Sequence, residues 1–179
     1  MKKKRHNQAN IAARSDLINA LLELLDTKVF SEISISELCS AANVSRMTFY
    51  RNYDSKEDII ISHMEEILEQ YELEAQKQNN QGMYYDTDNL KHCFFYFSEH
   101  KKFLDGLFKC GLGHIFLDAL KKYIMKTYST TNDLKQTIRL QAFAGSLYNI
   151  YIYWSENAYE ETPLQMADLL SEIFQSIHR

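Results

Sequence analysis

Between Ser34 and Tyr53 the run Ser-Ile-Ser-Glu-Leu-Cys-Ser-Ala-Ala-Asn-Val-Ser-Arg-Met-Thr-Phe-Tyr-Arg-Asn-Tyr leaves the backbone few alternatives. Ser34 and Glu37 stand in capping-box spacing, where the hydroxyl takes one orphan N–H and the carboxylate reaches back to another, so a helix starts here. Ile35, Leu38, Cys39 and Ala42 then fall at i, i+3, i+4 and i+7 on one face, while Ser36 and Ser40 look outward. Asn43 tolerates the left-handed conformation that a sharp turn needs, Val44 can plug the corner, and Ser45 is a good N-cap for a second helix. Two short helices joined this tightly form a helix-turn-helix.

In the second helix Phe49 and Tyr53, four apart, can both point into a core. Arg46, Met47, Thr48, Tyr50 and Arg51 then face outward, with Ser45 at the leading edge. That outward set suits DNA. A recognition helix lies in the major groove with its first residues at base edges, where arginine can pair bidentately with guanine and a threonine methyl can touch thymine. Spacing alone does not separate such a reader from a packed pair of amphipathic helices.

The run Thr48-Phe-Tyr-Arg-Asn-Tyr-Asp-Ser-Lys-Glu-Asp-Ile59 resembles the TetR family of bacterial transcriptional regulators. In that family the recognition helix ends in a Thr-aromatic/Leu-Tyr-x-x-aromatic segment followed by a polar turn and a lysine. The resemblance covers about the first third of the chain. It implies that Thr48, Tyr50 and Lys56 contact DNA, the last two mostly at phosphates. Many relatives have glycine at the Asn43 position and a small residue or proline near Met47; the sequence departs from both. After the linking helix, TetR-like proteins keep a ligand-binding and dimerising domain.

The rest of the chain agrees with an all-α fold. Its 179 residues include one proline and five glycines, and long stretches show helical periodicity without strand-like alternation. The reading is an N-terminal three-helix helix-turn-helix domain (1–55), a linking helix (55–78) and a C-terminal helical domain (83–179) for dimerisation and effector binding. Net charge is −4, yet residues 1–60 hold nine Lys/Arg against eight Asp/Glu, leaving eleven against sixteen beyond. With so weak a bias, phosphate attraction has to come from local clusters. Lys2, Lys3, Lys4 and Arg5 form one, read as a flexible arm that reaches DNA or as a charged start that touches nothing. Lys56, in the first turn of the linking helix, is placed where helix N-terminus and ammonium both favour a phosphate.

No apolar run approaches the ~20 residues of a membrane span, and the start Met1-Lys-Lys-Lys-Arg-His lacks the apolar region of a signal peptide. Three cysteines without a CxxC pair suit reduced thiols, and a cytoplasmic location is expected. Cys110 and His114, four apart, and the adjacent His92 and Cys93 lack a reinforcing motif, so no metal and no cofactor is expected. Neither a phosphate-cradling glycine loop nor a nucleophile elbow occurs, so no enzyme is expected and no catalytic residue is assigned.

Aromatic residues crowd the C-terminal half: they include Phe94, Phe95, Phe97, Phe116, Tyr151 and Trp154. They can fill a core or line a pocket, and both readings stand. Helices from about Asp133 to Asn157 and from Thr162 to Ile177 carry wide apolar faces. They are expected to pair with their copies through Phe143, Leu147, Tyr151, Leu170, Phe174 and Ile177, with Ala142, Ala144, Gly145 and Ser146 permitting close approach. The expected partners are a palindromic double-stranded operator, a second copy of the chain and a small-molecule effector, with no membrane. The expected function is a homodimeric repressor released by that effector. The alternative is a protein-binding co-regulator of the same fold that no longer reads an operator.

Overall fold

The computed structural model describes residues 2–77, 82–131 and 133–177, with side chains from residue 10 to 176 within those spans. Regular structure among them is entirely helical. In chain order it comprises α1 (Lys2–Leu25), a 3₁₀ turn (Phe30–Glu32), α2 (Ile35–Ala41), α3 (Arg46–Asn52), α4 (Lys56–Lys77), α5 (Thr87–Glu99), α6 (Lys101–Lys109), α7 (His114–Tyr128), α8 (Leu134–Glu156) and α9 (Pro163–Ile177).

Local chemistry sets most helix starts. Ser34 Oγ accepts from Glu37 N at 3.1 Å, Ser45 Oγ from Thr48 N at 3.1 Å and Asp133 Oδ2 from Gln136 N at 3.2 Å. At α4 a capping box forms: Ser55 Oγ accepts from Asp58 N at 3.1 Å while Asp58 Oδ2 accepts from Ser55 N at 2.9 Å. Thr162 and Gln165 do the same ahead of Pro163 at α9. Asn43 closes α2 with φ 51°, the left-handed residue of the turn, and Gly111 (φ 74°) makes the corner between α6 and α7.

Helices α1, α2 and α3 pack on one another and on the start of α4 to form a head. The other end of α4 lies on α7, and α5 packs against α9 and α7 against α8. A second joint comes from α6, which also touches α1. There a Cβ on Gly106 would stand 3.0 Å from Leu22, so the absence of a side chain sets how closely these helices meet. The buried residues form one continuous apolar cluster from Leu17 to Leu170.

Two expectations about shape are corrected. The basic start is already part of α1, whose backbone is helical from Lys2, where a flexible arm was expected; the side chains of Lys2, Lys3, Lys4 and Arg5 lie outside the described residues. On α8 and α9, Phe143, Leu147, Tyr151 and Leu170 are buried inside the subunit, between 1% and 3% exposed, and so offer no face to a second copy. Phe174 is half-buried against Phe143, ring centres 4.8 Å apart, and the Ile177 side chain lies outside the described residues. The small-residue patch also divides: Ala144 is buried, whereas Ala142 is exposed and a Cβ on Gly145 would meet nothing. The C-terminal aromatics mostly fill the interior, where Phe94 stacks on Tyr151 at 5.1 Å and Trp154 Nε1 donates to Glu161 O at 2.9 Å.

Three histidines lie where α4 meets α5 and α6. His63 packs edge-on to Phe103 at 4.7 Å, beside Arg14 and 3.7 Å from Glu66. His92 lies face to face with Tyr71 at 4.7 Å, its Nε2 3.5 Å from Glu74, and His100 packs on Tyr96 at 4.9 Å. Burial holds all three below the ordinary 6.5, against the opposing pull of Glu66 on His63, Glu74 on His92, and Glu99 and Glu74 on His100. The unfolded chain therefore takes up these protons first as pH falls. Stability should be full above pH 6.5 and decline below it, toward the lower folded-state values. Urea unfolding at a series of pH values checks this: a falling midpoint on acidification below 6.5, lessened by His92→Gln, is expected, and a midpoint that rises would contradict it.

Candidate nucleic-acid interface

The head presents α3 on its surface. Phe49, fully buried, and Tyr53, 7% exposed, anchor the helix from below, their rings 6.1 Å apart. With those two positions inside, the 3.6-residue period turns Arg46, Met47, Tyr50 and Arg51 outward. All four are exposed, Met47 at 77%, and Tyr50 stands edge-on to Phe49 at 5.2 Å. Ser45 is exposed at the N-cap and Thr48 is half-exposed. Their hydroxyls lie 2.9 Å apart, so the Thr48 hydroxyl already has a partner and its methyl is the freer group. The structure thus brings Ser45, Arg46, Met47, Thr48, Tyr50 and Arg51 onto one short helix and its cap.

Lys56 is placed differently from expectation. Its ammonium donates to Phe30 O at 2.7 Å and Ile33 O at 2.5 Å and stands 4.6 Å from the centre of the Phe30 ring. Two of its three donors thus hold the 3₁₀ turn and the residue before the Ser34 cap, which leaves one for a phosphate. Lys28 is likewise engaged, with Glu37. Acids frame the surface on either side. Asp16 lines the groove between α1 and α3 with Thr48 and Arg51, while Asp54, Asp58 and Glu65 line the depression beyond Tyr50. The field around α3 is therefore mixed, and attraction to a phosphate backbone would have to come from the cations of α3 itself.

Sequence reasoning passed over Arg14, which ties α1 to Tyr53 and to α4. The available signal was its position: it falls three residues after Ile11 and three and four before Leu17 and Ile18, a lone cation on an apolar stripe. Among the described residues no group of three or more His, Cys, Asp or Glu stands close enough to share a metal ion, and no helix is long and apolar enough to cross a membrane.

The Lys56 contacts predict a measurable cost. Lys56→Met keeps the stem over Phe30 but deletes both hydrogen bonds. Water competes for a half-buried ammonium, which brings each bond from the charged-donor range down to the ordinary net of about 0.5–1 kcal/mol, so losing both should lower stability by about 1–2 kcal/mol in denaturant unfolding. An unchanged midpoint would mean that the ammonium is not held by the turn.

Residues 17–62 match the family model of the bacterial regulatory proteins of the tetR family. The HTH-type transcriptional regulator EthR of Mycolicibacterium smegmatis (strain ATCC 700084 / mc(2)155) is 42% identical over 45 residues, a stretch that is 25% of this chain and 21% of that protein. The chain therefore spans about a fifth of that relative's length. Among solved structures, Lin0861 from Listeria innocua superposes with a TM-score of 0.79 at 18% identity, covering 95% of this chain and 93% of that one. The dihydroxyacetone kinase operon activator DhaS does so with a TM-score of 0.61 at 18% identity, covering 93% and 96%. At these identities the superpositions establish a shared fold along nearly the whole chain. The segment 17–62, which holds the helix-turn-helix, is thus similar to the corresponding segment of the tetR family of bacterial regulatory proteins, and the fold shared with the solved structures extends beyond it.

Proposed function

We propose that the chain is a sequence-specific DNA-binding regulator of transcription, a homodimeric repressor that reads a palindromic operator through α3. The observation that carries this reading is the exposed set Arg46, Met47, Tyr50 and Arg51 on a helix fixed by buried Phe49 and Tyr53. Arg46, Thr48 and Arg51 would face bases, and Tyr50 with the remaining donor of Lys56 would meet phosphates. Lys2, Lys3, Lys4 and Arg5, at the start of α1, would add sequence-independent attraction.

The face that would pair two copies is the outer one of α8 and α9. Leu134 (71% exposed), Ile138 (59%) and Ala142 lie four apart along α8, with Tyr153 on the same side beyond exposed Asn149, and Leu169 and Ile173 are exposed on α9. So long an apolar stripe left to solvent marks a partner surface, and twofold pairing would set two α3 helices against half-sites ~34–36 Å apart.

Release by a small molecule would act on the interior between α4, α5, α7 and α8. Tyr71, Tyr84, Asn89, Cys93, Tyr123 and Tyr128 help to line a cavity there of about 20 Å³. That is room for one water, so an effector would have to open this interior to enter. So small a cavity also supports the second reading, a co-regulator whose C-terminal half meets another protein. The activator DhaS shares the fold, so activation in place of repression is compatible with it.

Selection of bound duplexes from a random pool tests the reading, and an enriched palindrome is expected. Enrichment of no sequence by the parent protein contradicts it and favours the co-regulator. Charge on the outer face tests the dimer. Ile138→Glu together with Ile173→Glu should give a folded monomer by light scattering that has lost the selected duplex, because burying unpaired carboxylates costs several kcal/mol. A double variant that stays dimeric places the interface elsewhere.

A further inference from the structure

We propose that Arg14 is a positioning residue for DNA reading: its guanidinium clamps the end of α3 to α1 and α4 and so sets the angle at which α3 is presented. This rests on the DNA-reading function proposed above. Arg14 Nε donates to the Tyr53 hydroxyl at 3.2 Å, and Nη2 donates to Ser62 Oγ at 2.7 Å and to Glu66 Oε1. The guanidinium carbon also stands 5.9 Å from the centre of the Tyr53 ring. Helices α1, α3 and α4 thus converge on one planar side chain.

Tyr53 is the residue on which α3 ends. Its N–H closes the helix on Phe49 O at 2.9 Å, its ring is buried, and only Asp54 and Ser55 separate it from α4. Whatever fixes the Tyr53 ring therefore fixes the C-terminal end of α3 relative to α4. The Arg14–Glu66 pair is well exposed, 36% and 51% for the two side chains, and is screened by water. Orientation comes instead from the directed bonds to Tyr53 and Ser62. A guanidinium offers five donors in a rigid fork and can serve both helices at once; a lysine ammonium at the same place is a compact charge without that plane. Three of the five Arg14 donors are engaged with protein partners, and the salt slope below tests whether the other two meet a phosphate.

The clamp predicts a loss of discrimination without a loss of charge attraction. The parent, Arg14→Lys, Arg14→Met, Tyr53→Phe and the double variant Arg14→Met/Tyr53→Phe are titrated with the selected duplex and with a scrambled duplex of equal length, at several salt concentrations. Thermal unfolding of each protein is recorded alongside. Arg14→Lys and Arg14→Met should each weaken the selected duplex about tenfold, the cost of roughly one mismatched base pair, while scrambled-duplex affinity and the salt slope stay at the parent's values. Tyr53→Phe, which removes only a hydroxyl and keeps the test open if an Arg14 variant fails to fold, should lose a similar factor, and the double variant no more than the larger single loss. An unchanged ratio of selected to scrambled affinity overturns the clamp, as does a salt slope that falls by about one, the mark of a lost phosphate contact. A parent that distinguishes no duplex overturns the DNA-reading function itself, and is recognised before any variant is compared.

Discussion

The burial of α4 against both halves of the molecule is the constraint on which the rest depends. Ile59, Ile60, Met64, Ile67, Leu68, Tyr71 and Ala75 form a buried stripe along the helix. Near its start α4 holds the head, through Lys56 to the 3₁₀ turn and through Ser62 to Arg14. Near its end Ile67 O accepts from the Tyr96 hydroxyl at 2.7 Å and Tyr71 packs on Tyr96, Phe97 and Tyr123. Each large apolar side chain buried contributes about 1.5–3 kcal/mol relative to exposure, against about 0–1 for an exposed ion pair. The stripe therefore outweighs the surface charges that cross the same joint, and the polar contacts orient what the apolar ones hold together.

The helix-turn-helix was legible because its determinants are local. Caps at Ser34 and Ser45, the left-handed Asn43 and the apolar spacing of Leu38, Cys39 and Phe49 all act within a few residues of one another. What was not legible is long-range. Nothing near Lys56 in sequence says that the carbonyls of Phe30 and Ile33, 26 and 23 residues earlier, stand beside its ammonium. Helix α8 shows a different limit. It is apolar on two sides, with Phe143, Leu147 and Tyr151 on one and Leu134, Ile138 and Tyr153 on the other, and a helical period cannot say which side its own subunit covers. The larger rings went inside, and the stripe left in solvent is the other one. Whether the aromatics line a pocket or a core was also open in the sequence. In the fold Phe94, Phe97, Phe116, Tyr151 and Trp154 are all essentially fully buried against one another.

Charge and shape divide the work of the proposed interface. A head that is nearly neutral, with Asp16, Asp54, Asp58 and Glu65 around α3, would attract DNA only weakly at long range. Discrimination then depends on how accurately α3 is held once contact is made, and the residues that hold it, Phe49, Tyr53, Arg14 and Lys56, lie mostly behind the contact surface. This is why substitutions away from the DNA face are expected to change specificity, and why Met47, the most exposed large apolar residue of the head, is free to vary without disturbing the fold.

Amide hydrogen exchange of the intact protein, with and without the duplex it selects, tests the central claim most directly, because each segment reports its own protection. The account predicts slowed exchange across Ser45 to Arg51 and the start of α4 on binding, with the buried stripe of α4 little changed. Unchanged exchange across Ser45 to Arg51 at saturating duplex would show that α3 is not the DNA-reading element and would contradict the account.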